Sequence, residues 1–127
     1  MSTLEVSNLN DGTTTVATTY ITNGSAKAWL NMKGTGTISV TDSFNVSSIV
    51  DNTTGRYATN LTSSMNNIGY AVTGSNISCL SASFAICIQS NEVINTVSKY
   101  EVSARNTVSD LIIDTTAANT TVQGDLA

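Results

Sequence analysis

Apolar residues recur at every second position along most of this chain, and no stretch holds a 3.6-residue period for more than two turns. Side chains of a β-strand alternate between two faces, so the pattern calls for strands with one buried side rather than a helical bundle. The clearest case is Ala26, Ala28, Leu30 and Met32 on one parity, with Lys27, Trp29, Asn31 and Lys33 on the other. Before it, Leu4 and Val6 alternate and Asn10-Asp11-Gly12 supplies a turn. A Thr-rich strand from Val16 to Ile21 is expected to end at Asn23-Gly24, a pair suited to a type I′ hairpin turn. Gly34-Thr35-Gly36 breaks the next strand, Ile38 and Val40 carry another, and Phe44, Val46 and Ile49 lie in a less regular stretch closed by residues 51–55.

The second half keeps the habit. Tyr57, Thr59 and Leu61 alternate, Asn66-Asn67 turns, and Tyr70 and Val72 lead to an expected turn at Gly74-Ser75-Asn76. Leu80, Ala82, Phe84, Ile86 and Ile88 form the most hydrophobic strand, expected to be central. Tyr100, Val102 and Ala104, then Ala118, Thr120, Val122 and Gly124, complete the set. Short strands joined by Gly and Asn turns predict an all-β fold, an antiparallel, jelly-roll-like β-sandwich of about eight strands with a short N-terminal extended segment. Residues 1–22 read as an attachment or trimerisation segment and residues 23–127 as the sandwich head domain.

Composition narrows the chemistry. Thr, Ser and Asn fill 52 of 127 positions, and there is no histidine and no proline. Lack of histidine removes Ser-His-Asp and Cys-His mechanisms and histidine zinc sites. Carboxylates remain as acid-base candidates (Glu5, Asp11, Asp42, Asp51, Glu92, Glu101, Asp110, Asp114 and Asp125), but most stand beside turn residues, where Asp commonly bonds its own backbone. Residues 51–55 lack the alternating oxygen ligands and closing Glu of a calcium loop, and Gly34-Thr35-Gly36-Thr37 precedes no helix that could cradle phosphate. No enzyme and no cofactor is expected.

Five basic residues, scattered singly, stand against nine acidic ones, for a net charge of −4. That balance argues against nucleic acid and against an anionic membrane surface. No run approaches a membrane span, and the opening Met-Ser-Thr-Leu-Glu has neither a basic nor an apolar leader region. Synthesis in a cytoplasm without export by signal peptide is expected, together with no membrane insertion. Cys79 and Cys87 read as two small buried hydrophobes or as a disulfide between adjacent strands. Six Asn-x-Ser/Thr sequons follow from a chain with Ser or Thr at 38 positions and carry no glycosylation reading.

Two features point beyond a monomer. Trp29, the only tryptophan, shares its parity with Lys27 and Asn31, so it either lies under a covering loop or makes a subunit contact. Leu4, Val6 and Leu9 form a strand too thin to bury much alone, which calls for symmetry mates or a host particle.

Residues 24–38, Gly-Ser-Ala-Lys-Ala-Trp-Leu-Asn-Met-Lys-Gly-Thr-Gly-Thr-Ile, and residues 42–57, with Asn-Val-Ser-Ser-Ile at 45–49 and Tyr57 at the end, resemble a recurring module of tailed-phage tail-fibre-like proteins. Tyr70-Ala71-Val72, residues 100–106 and the opening Ser2-Thr3-Leu4-Glu5-Val6 are similar to its later strands and lead-in. Met32 stands where the family has Phe, and Thr53-Thr54 replaces a glycine. The resemblance implies a non-enzymatic virion component, a homotrimer with β-rich heads displayed outward, in contact with other virion proteins of the tail, baseplate or capsid. A short tail fibre or fibre segment for host attachment is the leading expectation, and a capsid decoration protein with no receptor role is the alternative. Leu4, Val6, Leu9 and Trp29 are then candidates for the oligomer interface. Asn66, Asn67, Ser75, Asn76 and Asn106, in turns expected at one end of the sandwich, are candidates for contact with a host-surface glycan. The four tyrosines could stack on sugar rings if exposed, or be half-buried strand residues.

Overall fold

The computed structural model describes residues 2–77, 86–90, 95–106 and 111–127. Eight strands form two four-stranded antiparallel sheets: β3 (Ala26–Lys33), β4 (Ser39–Phe44), β5 (Val46–Thr53), β6 (Arg56–Leu61), β7 (Ala71–Ile77), β8 (Ile86–Ser90), β9 (Lys99–Asn106) and β10 (Ala117–Gln123). One sheet runs β4-β3-β10-β7 and the other β5-β6-β9-β8. β10 returns to lie beside β7, the Greek-key connection of which jelly rolls are also built.

The expected parity is what fills the core. Ala28, Leu30 and Met32 of β3 and Ala118 and Val122 of β10 face Tyr57 and Leu61 of β6 and Tyr100, Val102 and Ala104 of β9 in one cluster. Alternation lets β3, β6, β9 and β10 bury an inner row, which includes Thr59 and Thr120, while β4 and β5 stay largely exposed. The Tyr100 hydroxyl lies 2.6 Å from Thr120 Oγ1, a hydrogen bond across the sandwich that satisfies two buried polar groups at once. Tyr57 donates to the Gly34 carbonyl at 3.1 Å, and Tyr70 bonds the carbonyls of Thr96 and Lys99, each at 2.8 Å. These three tyrosines are buried, whereas Tyr20 is exposed.

The chain passes from the first sheet to the second at Asn45, the single non-glycine residue with positive φ (56°) among those described. Asn45 Nδ2 donates to the carbonyls of Lys27 and Ser63, and its Oδ1 accepts from Ser63 N at 2.7 Å. One side chain therefore ties β3, β5 and the end of β6 together. The left-handed conformation costs most L-residues about 1–2 kcal/mol, and asparagine offsets it with local bonds. Asn45→Ala should destabilise the chain by about 2–3 kcal/mol once lost hydrogen bonds are added. Asn45→Gly should recover the backbone part, which chemical denaturation of the two variants would check. Equal losses would show that backbone conformation is irrelevant at this corner.

Residues before Ala26 form their own layer. β1 (Asn8–Asn10) and β2 (Thr15–Ala17) make a hairpin, with the expected turn closed by Asp11 Oδ1 accepting from Thr13 N and Thr14 N at 2.9 and 2.7 Å. Those two N–H groups hold the Asp11 carboxyl below its ordinary range.

Three expectations are corrected. The strand from Val16 to Ile21 ends at Ala17, and α1 (Thr18–Gly24) takes its place, so Asn23-Gly24 is not a hairpin turn. Asn8 pairs with Ala17 at the end of the hairpin ladder, Thr18 N and Oγ1 still bond the Ser7 carbonyl at 2.9 and 3.1 Å, and the helix starts there. Lys27 Nζ caps the helix by donating to the carbonyls of Thr22 and Ser25. Gly74-Ser75-Asn76 is no turn but the middle of β7, held in extended form by pairing with β10. Among the described residues, β8 lies at the end of its row rather than in the centre, and β6 and β9 are central. Leu80, Ala82, Phe84 and Cys79 lie outside the described residues, and Cys87 is placed by its backbone alone, opposite Arg105.

Candidate interaction surfaces

Antiparallel register arranges the outward face of the β4-β3-β10-β7 sheet in two rows. Phe44, Trp29, Thr121 and Thr73 form one, and Asp42, Asn31, Asn119 and Ser75 form the next. Directly paired residues project from the same side, so each row runs straight across four strands. Trp29 is 36% exposed and Phe44 54% exposed. Thr73, Gly74, Ser75, Asn119 and Thr121 line a shallow depression of about 250 Å³ beside the rings. The side chains of Asn31, Asn119 and Ser75 make no hydrogen bond with the rest of the described chain. Their donors and acceptors are turned to solvent.

A second surface lies between α1 and the sandwich. Ile21, Thr22, Ala26, Lys27, Phe44 and Leu126 line a largely apolar groove of about 430 Å³. It adjoins the N-terminal hairpin, where Leu4 is 83% exposed and Val6, Leu9, Val16, Tyr20 and Ile21 also stand open. Leu9 pairs with Val16, which sets both on one side of the hairpin. None of these residues contributes to the core.

The candidates read from the sequence are not brought together. Leu4, Val6 and Leu9 sit on the N-terminal layer, while Trp29 is on the outward face of the sheet, 36% exposed. Asn66 and Asn67 are exposed in the bend after β6, where Asn66 N bonds the Asp125 carbonyl and Asn67 Oδ1 accepts from Gly69 N, both at 2.8 Å. Ser75 belongs to the polar row. Asn76 is placed by its backbone alone, opposite Ala118. Asn106 is corrected outright: it ends β9 with only 6% exposure, its N–H bonded to the Leu111 carbonyl, so it offers no surface contact. Residues 107–110 of that expected turn lie outside the described residues. Asn31, Asp42, Phe44, Asn119 and Thr121 were missed. Asn31 shares parity with Trp29, but only the pairing of β3 with β4 and β10 puts the other four beside it.

The titratable groups inside serve the fold. Burial pushes the Tyr57 phenol up to about 12, and the Asp114 carboxylate beside its hydroxyl (3.2 Å) adds to the shift. Burial likewise raises Tyr70 to about 12 and raises Tyr100. Glu101, buried on β9, accepts from Asn52 Nδ2 at 2.5 Å and faces the Arg56 guanidinium at 3.9 Å. A carboxylate so engaged is placed for structure. No group of three or more His, Cys, Asp or Glu among the described residues could hold a metal ion, and no helix there is long and apolar enough to cross a membrane. Comparison of the chain with protein-family models, with curated proteins and with solved structures returned no match.

Proposed function

We propose that this chain is a non-enzymatic structural protein of a tailed-phage virion, a short trimeric tail fibre or fibre segment that takes part in host attachment. The observation that carries the reading is the split between a sandwich whose core residues all lie from Ala28 to Val122 and an N-terminal layer that buries nothing of its own. Leu4, Val6 and Leu9 expose apolar surface that gains about 25 cal/mol for each Å² covered, which is what a docking foot requires. Resemblance of residues 24–57 to tail-fibre-like proteins supports the virion context. Three heads on one fibre, and several fibres on one particle, would turn weak contacts into firm attachment through effective concentration.

The alternative is a capsid decoration protein with no receptor role, its exposed N-terminal hairpin of two three-residue strands seated on the capsid lattice. Electron microscopy of particles carrying a labelled copy separates the two: label at the tail supports the fibre, and label over the head sinks it. In sedimentation, the purified chain should run as a trimer of 13.2 kDa subunits. The triple variant Leu4→Ser, Val6→Ser, Leu9→Ser should run as a monomer with unchanged Tm, because none of the three touches the core. A wild-type monomer at micromolar concentration would count against the trimer.

A further inference from the structure

We propose that the outward face of the β4-β3-β10-β7 sheet binds a neutral polysaccharide, with Trp29 and Phe44 stacking on sugar rings and Asn31, Asn119, Ser75 and Asp42 hydrogen-bonding its hydroxyls. The inference rests on the attachment reading and gives it a ligand class and a site.

Four observations converge on it. First, β3 already buries Ala28, Leu30 and Met32 on its inner face, so the core does not explain the Trp29 ring on the other. Its cross-strand neighbour Phe44 makes a paired aromatic surface open to solvent. Such rings favour the C–H face of a pyranose, which is apolar and flat. Second, the adjoining row presents amides without partners in the described chain. An amide both donates and accepts, and so does a sugar hydroxyl, so the two match without either being charged.

Third, the two rows hold one carboxylate, Asp42, and no cation, and the exposed Lys33 that flanks them on β3 is a single charge offset by Asp42. Phosphate, sulfate and nucleic acid all require basic groups, which leaves a neutral ligand. Fourth, the depression is shallow, and the rows cross four strands, about 14 Å at the usual interstrand spacing. An extended chain of sugars lies along such a surface, whereas a small molecule needs an enclosing pocket. β3 and β10 are the central strands and are paired on both sides, so the platform is rigid before the ligand arrives. A protein partner fits less well, because interface cores are dominated by apolar contact and here two rings stand among six polar side chains.

Because Trp29 is the only tryptophan, its fluorescence reports on this face alone. The purified full chain would be titrated with dextran, amylose, a β-1,3-glucan, xylan and galactomannan, and with heparin as an anionic control. At least one neutral polysaccharide should shift Trp29 emission saturably, and the shift should survive high salt. Asn119→Ala, which keeps the reporter, should weaken that binding about tenfold, the equivalent of one good hydrogen-bonding group. Trp29→Ala should abolish retardation in glycan-containing native gels while circular dichroism stays that of the folded chain. Ser48→Ala, on β5 of the opposite sheet, should bind as the parent does.

Silence with all five neutral polysaccharides would overturn the proposal, as would unchanged binding by both face variants or a signal confined to heparin at low salt. If Trp29→Ala instead converts a trimer to monomer, the face is a subunit contact and the glycan reading fails. The two readings part cleanly. Glycan binding with label over the capsid head overturns the tail assignment alone, and label at the tail with no glycan response overturns this site alone.

Discussion

Tyr57→Ala should cost about 4–8 kcal/mol, a large share of the stability of the chain. The ring is fully buried in β6, one of the two central strands of its sheet, and removing a buried aromatic side chain costs about 3–5 kcal/mol. The hydroxyl adds to this. It donates toward the Gly34 carbonyl and the Asp114 carboxylate, and it accepts from Thr115 N at 3.3 Å. Three separate segments thus meet on one oxygen: the β3–β4 turn, the stretch before β10, and, through Asp114 Oδ1 accepting from Gly55 N at 2.7 Å, the β5–β6 turn. Losing it strands buried polar groups, for about 1–3 kcal/mol more. A domain of this size has about 5–15 kcal/mol in all. Tyr57→Phe keeps the ring and should show the hydroxyl share alone. Urea unfolding of the two variants against the parent would measure both terms. A drop below about 1 kcal/mol for Tyr57→Ala would mean that the surrounding side chains collapse into the space, contrary to the packing described.

Alkaline pH should unfold the protein between about pH 10 and pH 12. Tyr57 and Tyr70 titrate near 12 in the folded chain against 10 when exposed, and Tyr100 is shifted the same way. Between those values the unfolded chain gives up phenolic protons that the folded chain keeps. Fewer protons bound by the unfolded state means stability falls as pH rises. The stabilisation is whole below pH 10 and is lost as pH passes the folded values. Three groups acting together make the loss steep. Thermal melts at pH 8, 10, 11 and 12 would trace it, and Tyr70→Phe should flatten the curve by removing one titrating group. A Tm unchanged from pH 8 to pH 12 would overturn this account.

Much of the sandwich was legible because a strand's burial pattern is a local property. Ala28, Leu30 and Met32 announce an inner face by their spacing, and Asn10-Asp11-Gly12 announces a turn by its chemistry. Where legibility failed, a distant partner had overridden a local preference. Thr18 to Ile21 is as Thr-rich and β-branched as the strands, yet it is helical, with Lys27 Nζ donating to the Thr22 carbonyl at its end. Gly74-Ser75-Asn76 has turn composition, but β10 holds it straight. Asn106 looks like a surface residue and is buried, its N–H bonded to the Leu111 carbonyl.

By itself the amino-acid sequence determined which side of β3, β6, β9 and β10 faces the core, the uncharged hydrogen-bonding character of much of the exterior, and the exclusion of histidine chemistry. Each of these depends only on residue type and a period of two. Tertiary structure decided which strands become neighbours. That choice set Trp29 beside Phe44, and Asn31 beside Asp42 and Asn119, from segments far apart in the chain. Pairing is settled by closing the whole core at once, so no local window of residues contains it.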